Sequence, residues 1–268
     1  MGKLVKIVIQ GVTSKKAQAE LDDIMRCRND ILYFAKKCMI LTSEGLKPFE
    51  PYPWQARLLK MLTTTPNRRD LVMAARQTGK TTVVAVFFLW YAMFHHDKNL
   101  WIFSRKDIAA KEIMQRIREM YANLPKHLRF ELKHNSKSCI EFRDNHCKIC
   151  ASALSDVYVV GRSLDYIWID EAAFCHDCGM DTKFMAGMFP VFSATNTGMI
   201  IESTPHGTEN EFYQLWLKSP GNGFRRTKVT WRDIPGRDDE WKKKAIRDYG
   251  KSFFDQEFDC KIVTTKLF

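Results

Sequence analysis

The chain has 268 residues, of which 45% are hydrophobic and 27% charged, with a formal net charge of +11. That length and balance suit one large or two modest globular domains around a sizeable core, and they exclude a disordered or fibrous chain. The basic excess favours a polyanionic partner such as nucleic acid, because neutralising phosphates releases counterions, although a merely soluble basic protein carries the same charge.

The first ten residues contain no long apolar stretch and no small-residue cleavage site of a signal peptide. Lys6 stands where a myristoylation motif after Gly2 requires Ser or Thr. The longest apolar run, from Val83 to Met93, is too short to span a bilayer. The eight cysteines are therefore expected as free thiols in a reducing compartment.

In chain order, residues 17–40 suggest an amphipathic helical arm through Leu21, Ile24, Met25, Ile31, Leu32 and Phe34. Three prolines between Lys47 and Pro53 then break the pattern. Leu71 to Ala75 predicts a strand and Lys80 to His95 a buried helix. Leu100 to Ser104 predicts a second strand, with a helix carried by Ala109, Ile113, Ile117 and Met120. Cys139 to Phe142 and Lys148 to Ala151 form a strand pair around Asp144-Asn145, and Tyr166 to Ile169 and Met199 to Ser203 are two further buried strands. Alternating strands and helices imply a largely parallel sheet wrapped by helices. Residues 208–260 are more helical, polar and aromatic, as in a small subdomain packed on the core.

Between the first strand and its helix lies Ala74-Ala75-Arg76-Gln77-Thr78-Gly79-Lys80-Thr81, the pattern G-x-x-x-x-G-K-[ST] with Ala74 at the first glycine. Backbone N–H groups at a helix N-terminus cradle phosphates, Lys80 neutralises β/γ charge and the Thr81 hydroxyl ligates Mg²⁺. The expected nucleotide-binding residues are Ala75, Arg76, Gln77, Thr78, Gly79, Lys80, Thr81 and Thr82. The strand Tyr166-Ile167-Trp168-Ile169 ends in Asp170 and Glu171. A strand next to the phosphate loop would set Asp170 at the Mg²⁺ water shell and let Glu171 polarise the attacking water. The pair argues for hydrolysis of ATP.

The order of phosphate loop, Ile-Asp-Glu and Ser203-Thr204-Pro205-His206-Gly207 resembles the large terminase subunit of tailed bacteriophages, and the resemblance runs from about residue 30 to 260. It implies a P-loop NTPase fold of the RecA-like, additional-strand catalytic-glutamate type, with a mostly parallel sheet flanked by helices and a small helical subdomain. It also implies an N-terminal arm over residues 1–45, an ATPase core over 46–207 and the remainder of the ATPase domain over 208–268.

By the same resemblance, Ser203 and Thr204 couple hydrolysis to domain movement, and Arg76 touches the γ-phosphate beside catalytic Lys80 and Glu171. Gln55, within Pro51-Tyr52-Pro53-Trp54-Gln55, matches the adenine-recognising glutamine. Asp156 to Leu164, holding Gly161 and Arg162, resembles the glycine-arginine loop, with the arginine one position later than in many relatives. A neighbouring subunit's Arg162 or Arg105 is the alternative to Arg76 as the finger.

The implied activity is ATP-driven translocation of double-stranded DNA into a procapsid in the host cytoplasm. The implied partners are the portal protein, the small terminase subunit and further copies in a ring, a pentamer by resemblance; no membrane is involved. The RNase H-like nuclease domain of full-length relatives is too large for the stretch after Pro205, so neither it nor nuclease activity is expected. A helicase-like translocase shares the motifs but carries a second RecA-like domain, and a nucleotide-gated assembly subunit without catalysis would have no need of Lys80, Thr81, Asp170 and Glu171.

Two signals stay outside this reading. Cys147-x-x-Cys150 and Cys175-x-x-Cys178, with His146 and His176, have a zinc-like spacing, but positions three apart in a strand face opposite ways. Basic clusters at Arg68-Arg69, Arg225-Arg226-Lys228 and Lys242-Lys243-Lys244 read as solvated faces, one of which is expected to meet DNA or a neighbouring subunit.

Overall fold

The computed structural model describes residues 14–65, 68–154, 163–175 and 197–262. The N-terminal segment forms two helices rather than one stretch: α1, Lys15–Asn29, and α2, Ile31–Ala35. Ser14 caps the first through Ala17 N–H. Asp30 both ends it and caps the second, its carboxylate accepting from Leu32 and Tyr33 N–H. Ile24, Cys27, Ile31 and Phe34 are buried in the main core, so these helices are packed against it. Strands β1, Met39–Thr42, and β2, Gly45–Pro48, pair antiparallel as a separate hairpin that the helical reading of the segment did not foresee. Helix α3, Pro53–Thr64, starts on a proline at its first position, where no intrahelical N–H is required.

The rest alternates as β3 (Arg69–Ala74), α4 (Lys80–Phe94), β4 (Asn99–Ser104), α5 (Asp107–Ala122), β5 (Leu132–Asn135), β6 (Cys139–Phe142), β7 (Lys148–Ala153), β8 (Tyr166–Ile169) and β9 (Gly198–Ser203). Helix α6 (Glu211–Lys218), β10 (Arg225–Val229), α7 (Asp239–Tyr249) and α8 (Lys251–Glu257) follow. Among the described residues the main sheet runs β10-β3-β9-β8-β4-β7-β6-β5. The strands from β10 to β7 are mutually parallel, and β6 and β5 extend the sheet antiparallel. This is the mixed α/β architecture, with a mostly parallel sheet flanked by helices, that the alternating pattern predicts.

Two strand faces supply two cores. Val72, Ala74, Leu100, Ile102, Trp168 and Ile200 meet α4 on one side, while Leu71, Met73, Phe103, Ile167, Ile169 and Ile201 meet Phe212 and Leu215 of α6 on the other. Helix α4 is apolar nearly all round because it is buried nearly all round, and each fully buried Phe or Leu there contributes about 1.5–3 kcal/mol. Gly198 is required at the start of β9, since a Cβ there would lie 2.4 Å from the Tyr166 ring of β8.

The chain inserts β8 and β9 between β3 and β4. The strand beside the phosphate-loop strand is therefore β9, with the acidic strand β8 one place further away. This corrects the expectation that the acidic strand lies next to the loop. The basic cluster Arg225-Arg226-Lys228, expected as a solvated face, is strand β10, whose residues Arg225 to Val229 pair in parallel with Asp70 to Ala74 and close the sheet edge. In the cluster Arg68-Arg69, Arg68 is buried in an ion pair with Asp70 and donates to Met61 O at 2.7 Å.

The antiparallel pairing of β6 and β7 puts Cys139 directly opposite Cys150, and the structure joins them as a disulfide. This corrects the expectation of free thiols at that pair. The register is centred on the Asp144-Asn145 turn, which brings the two together. Cys27, Cys38, Cys147 and Cys260 are buried free thiols, and Cys175 is buried as well. Among the described residues no group of three His, Cys, Asp or Glu is placed to hold a metal ion, while Cys178 and His176 lie outside those residues. No described helix is long and apolar enough to cross a membrane.

Candidate active site

The loop between β3 and α4 gathers most of the expected residues at the carboxyl edge of the sheet, where α/β folds bind ligands. Gln77 (φ 58°) and Gly79 (φ 79°) both take left-handed backbone, the conformation from which nests of N–H groups for anions are built. The Thr78 hydroxyl ties the turn by donating to Ala75 O at 2.8 Å. Ala74 belongs to β3 and is not among the positive-φ residues, so the departure from glycine at that position has no conformational cost.

Ala75 and Arg76 do not offer their N–H groups to phosphate. Ala75 N–H donates to Val229 O at 2.9 Å and Arg76 N–H to Glu257 O at 2.9 Å. The donors left for an anion are those of the nest and the first turn of α4, at Lys80, Thr81 and Thr82, which have no intrahelical acceptor. The Thr82 side chain lines a separate groove with Ile40 of β1 and Glu112 of α5.

Gln55 is buried under the loop. Its amide nitrogen donates to Thr78 O and Gly79 O at 3.2 Å each, and its oxygen accepts from Tyr52 N–H at 2.8 Å. The two donors of the amide are thus committed to the loop, and the oxygen keeps one acceptor lone pair. A Cβ at Gly79 would sit 2.6 Å from that nitrogen, so glycine is needed there both for its backbone and for its small size.

Lys80 is buried, and its Nζ lies 2.6 Å from Glu171 Oε1. Burial works against its charge, but the carboxylates of Glu171, Glu202 and Asp170 outweigh that and hold its pKa above the usual lysine value. Glu171 stands on left-handed backbone (φ 49°) directly after β8. Its Oε2 accepts from Ser203 Oγ at 3.4 Å and from Thr204 N and Oγ1 at 3.3 Å each. Ser203 Oγ in turn accepts from Ala173 N–H at 3.1 Å. The acid, the lysine and the Ser-Thr turn form one contiguous set.

Asp170 is buried, with Oδ2 accepting from Ser104 Oγ at 3.3 Å and Oδ1 without a hydrogen-bond partner. Burial and then the Glu171 charge raise its pKa. Beside it stands Glu202 of β9, 0% exposed, which sequence reasoning passed over. Burial and the charge of Asp170 push Glu202 well above the ordinary carboxylate range. The available signal was an acid inside an otherwise apolar strand, directly before Ser203-Thr204-Pro205.

The Arg76 guanidinium, 54% exposed, pairs with Glu257 of α8, whose own side chain is 4% exposed. Arg237 was also missed. It donates to Arg76 O at 3.3 Å and Gln77 O at 3.4 Å while stacking over Trp241 at 4.6 Å. The loop is therefore held by the C-terminal part of the chain, through Arg237 just before α7 and Glu257 of α8. Gly161 and Arg162 lie outside the described residues.

Comparison with known proteins gives a consistent picture. The family described as terminase large subunit, T4likevirus-type, N-terminal, matches residues 71–266. The large terminase subunit of Escherichia phage T5 is 26% identical over 226 residues, which is 82% of this chain and 49% of that protein. The chain thus spans about half the length of this curated relative. Among solved structures, the large terminase of bacteriophage HK97 superimposes with a TM-score of 0.69 at 14% identity, covering 88% of this chain and 55% of that one. The large terminase ATPase domain of Thermus phage P74-26 gives 0.59 at 18% identity, covering 80% and 95%. A thermophilic bacteriophage's large terminase in complex with ADP gives 0.61 at 15% identity, covering 80% and 54%. At these identities the superpositions speak for the P-loop NTPase fold.

Proposed function

This chain belongs to the terminase large-subunit family through the N-terminal domain matched at residues 71–266, and on that premise we propose that it is an ATP-hydrolysing motor that drives double-stranded DNA into a procapsid. The observation that carries the reading is the continuity of Lys80, Glu171, Ser203 and Thr204 at the mouth of an anion-binding loop. A γ-phosphate entering that loop competes for Lys80. Lys80 then leaves Glu171 Oε1, and the freed carboxylate accepts the proton of an attacking water. Glu171 Oε2 stays on Ser203 and Thr204, so the change at the acid is passed into the end of β9.

The residues fit a hydrated divalent cation. Asp170 Oδ1 is a buried acceptor with no partner, and the acids around Lys80 exceed it in charge. Thr81 would hold Mg²⁺ directly and Asp170 through water, and the cation would neutralise charge on the β- and γ-phosphates. Gln55 retains an acceptor suited to the adenine amino group. Double-stranded DNA, the portal protein, the small terminase subunit and further copies in a pentameric ring are the partners this reading assigns. It also assigns the host cytoplasm as location and the division into residues 1–45, 46–207 and 208–268.

The test is phosphate release by the purified chain, alone and with portal-bearing procapsids and DNA. Glu171→Gln is expected to bind ATP and lose turnover by ~10²–10⁴-fold, since an amide of the same shape cannot take the proton. Absence of ATP turnover by the wild-type chain on such procapsids would sink the reading.

A further inference from the structure

Glu202 lies on β9, the strand that separates the phosphate-loop strand from the acidic strand. Ile201 is in register with Ile169, and Glu202 is in register with Val72. The next pair along β8 and β9 therefore sets Asp170 alongside Glu202. Trp168 and Ile200, two residues earlier on each strand, face α4, and the side-chain alternation of strands puts both acids on that same face. Glu202 is thus nearer to the phosphate loop in the sheet than Asp170 is.

Its surroundings do not explain it as a structural residue. Met199, Ile200 and Ile201 precede it in the strand and are buried. Neither Glu202 oxygen makes a hydrogen bond of good geometry, nor does Asp170 Oδ1. Burying a carboxyl whose nearest polar neighbour is a second acid, Asp170, is costly, and an apolar residue of similar volume would suit the strand better. Lys80 faces Glu171, Glu202 and Asp170 together, so the pocket is short of positive charge. Three acceptor atoms without a donor, on two neighbouring acids beside Lys80, are complementary to the water donors of a hydrated cation. No three ligating side chains converge among the described residues, which makes direct coordination by the acids the poorer fit. Mg²⁺ keeps several of its waters when bound with nucleotide, and those waters are donors.

We propose that Glu202 is a second positioning carboxylate for the divalent cation of the nucleotide site, accepting from the cation's water shell together with Asp170. The proposal rests on the reading of this edge as an ATP site. Outer-shell groups of this kind orient what touches the metal and set its affinity.

The experiment measures Mn²⁺ as the probe. Electron paramagnetic resonance reads its affinity for the protein–ADP complex, and a fluorescent ADP analogue in EDTA reads nucleotide affinity without metal. Glu202→Gln and Glu202→Ala, each checked for folding by circular dichroism, are expected to weaken Mn²⁺ by roughly 10–100-fold. Metal-free nucleotide affinity should stay within about two-fold of wild type, because the phosphate loop is untouched. A glutamine keeps the volume of Glu202 and donates to Asp170 as a protonated acid would, so a merely structural role predicts full rescue by Glu202→Gln. Wild-type Mn²⁺ affinity in either folded variant overturns the proposal while leaving the ATP site standing. A wild-type chain that binds no ADP in either condition removes the ATP-site reading and this inference with it.

Discussion

Arg76 and Lys80 belong to the same loop, and in this structure each already has an acid: Glu257 for Arg76 and Glu171 for Lys80. The two pairs differ in kind. Lys80 is buried and its partner Glu171 is partly exposed, whereas Arg76 is half in solvent and its partner Glu257 is the buried member. The exposed guanidinium of Arg76 is free to turn towards a phosphate, at the cost of leaving the buried Glu257 carboxylate without its cation. If Arg76 stabilises charge in the transition state, Arg76→Ala keeps nucleotide affinity within a few-fold and lowers turnover by ~10³–10⁵-fold. Arg76→Lys does not rescue it, because lysine lacks the planar fork. Glu257→Gln separates the alternatives: it removes the resting partner, so turnover survives if the phosphate is the partner that matters. Steady-state ATPase and ADP titration on the three variants decide this, and equal loss in Glu257→Gln and Arg76→Ala would make the ion pair itself the essential feature.

At the scale of elements, Gln55 shows how a helix start can organise a loop from a distance. Its amide joins the first turn of α3 to the carbonyls of Thr78 and Gly79. Gln55→Ala strands those groups, and buried polar atoms left without partners cost about 1–3 kcal/mol. Thermal melting should fall accordingly, and nucleotide affinity should fall with it; unchanged affinity would show that the loop holds its own shape. Asp23 plays a comparable part on α1, where it meets Tyr33 Oη at 2.6 Å, His127 Nε2 at 2.7 Å and Lys37 Nζ at 2.9 Å. Burial opposes its charge, but these partners prevail and bring its pKa down to about 2 from 3.8. A depressed acid contributes stability that is present above its unfolded value and is lost as pH falls from about 4 towards 2. The loss is on the order of 2 kcal/mol. Asp23→Asn should remove most of that acid-side slope in urea melts across this range, while a wild-type slope in the variant would assign it to other carboxylates.

The elements legible in the sequence are those with continuous apolar runs. Val72, Ile102, Trp168 and Ile200 mark strands buried on both faces, and their ends place the polar residues that follow them. Strand β10 was illegible because Arg225, Arg226 and Lys228 are exposed on the sheet edge and leave no apolar alternation. The hairpin of β1 and β2 lies almost wholly past the helical spacing of residues 17–40, and its two four-residue strands are too short and too exposed to show an apolar alternation. The neighbours of the phosphate loop were illegible for another reason. Glu202, Arg237 and Glu257 reach it only through strand order and tertiary packing, which local periodicity does not encode.

At the scale of the whole molecule, the most distant parts of the chain meet at the most local motif. Ala75 N–H is held by Val229 O and Arg76 N–H by Glu257 O, the latter 181 positions further along. Synthesis proceeds from the N-terminus, so the phosphate loop emerges well before the residues that hold it and acquires its shape only after them. Contacts of such sequence separation form late, because loop closure must come before they contribute. Until β10 and α8 arrive, the nascent chain carries the residues of the proposed nucleotide site without their geometry. A fragment ending at Phe224 is expected to bind ADP far more weakly than the full chain, even where circular dichroism shows its helices in place. Full affinity in that fragment would mean that the loop is self-supporting. If the expectation holds, nucleotide reaches the loop only after β10 and α8 have been made, and a shorter nascent chain stays out of contact with the cell's ATP.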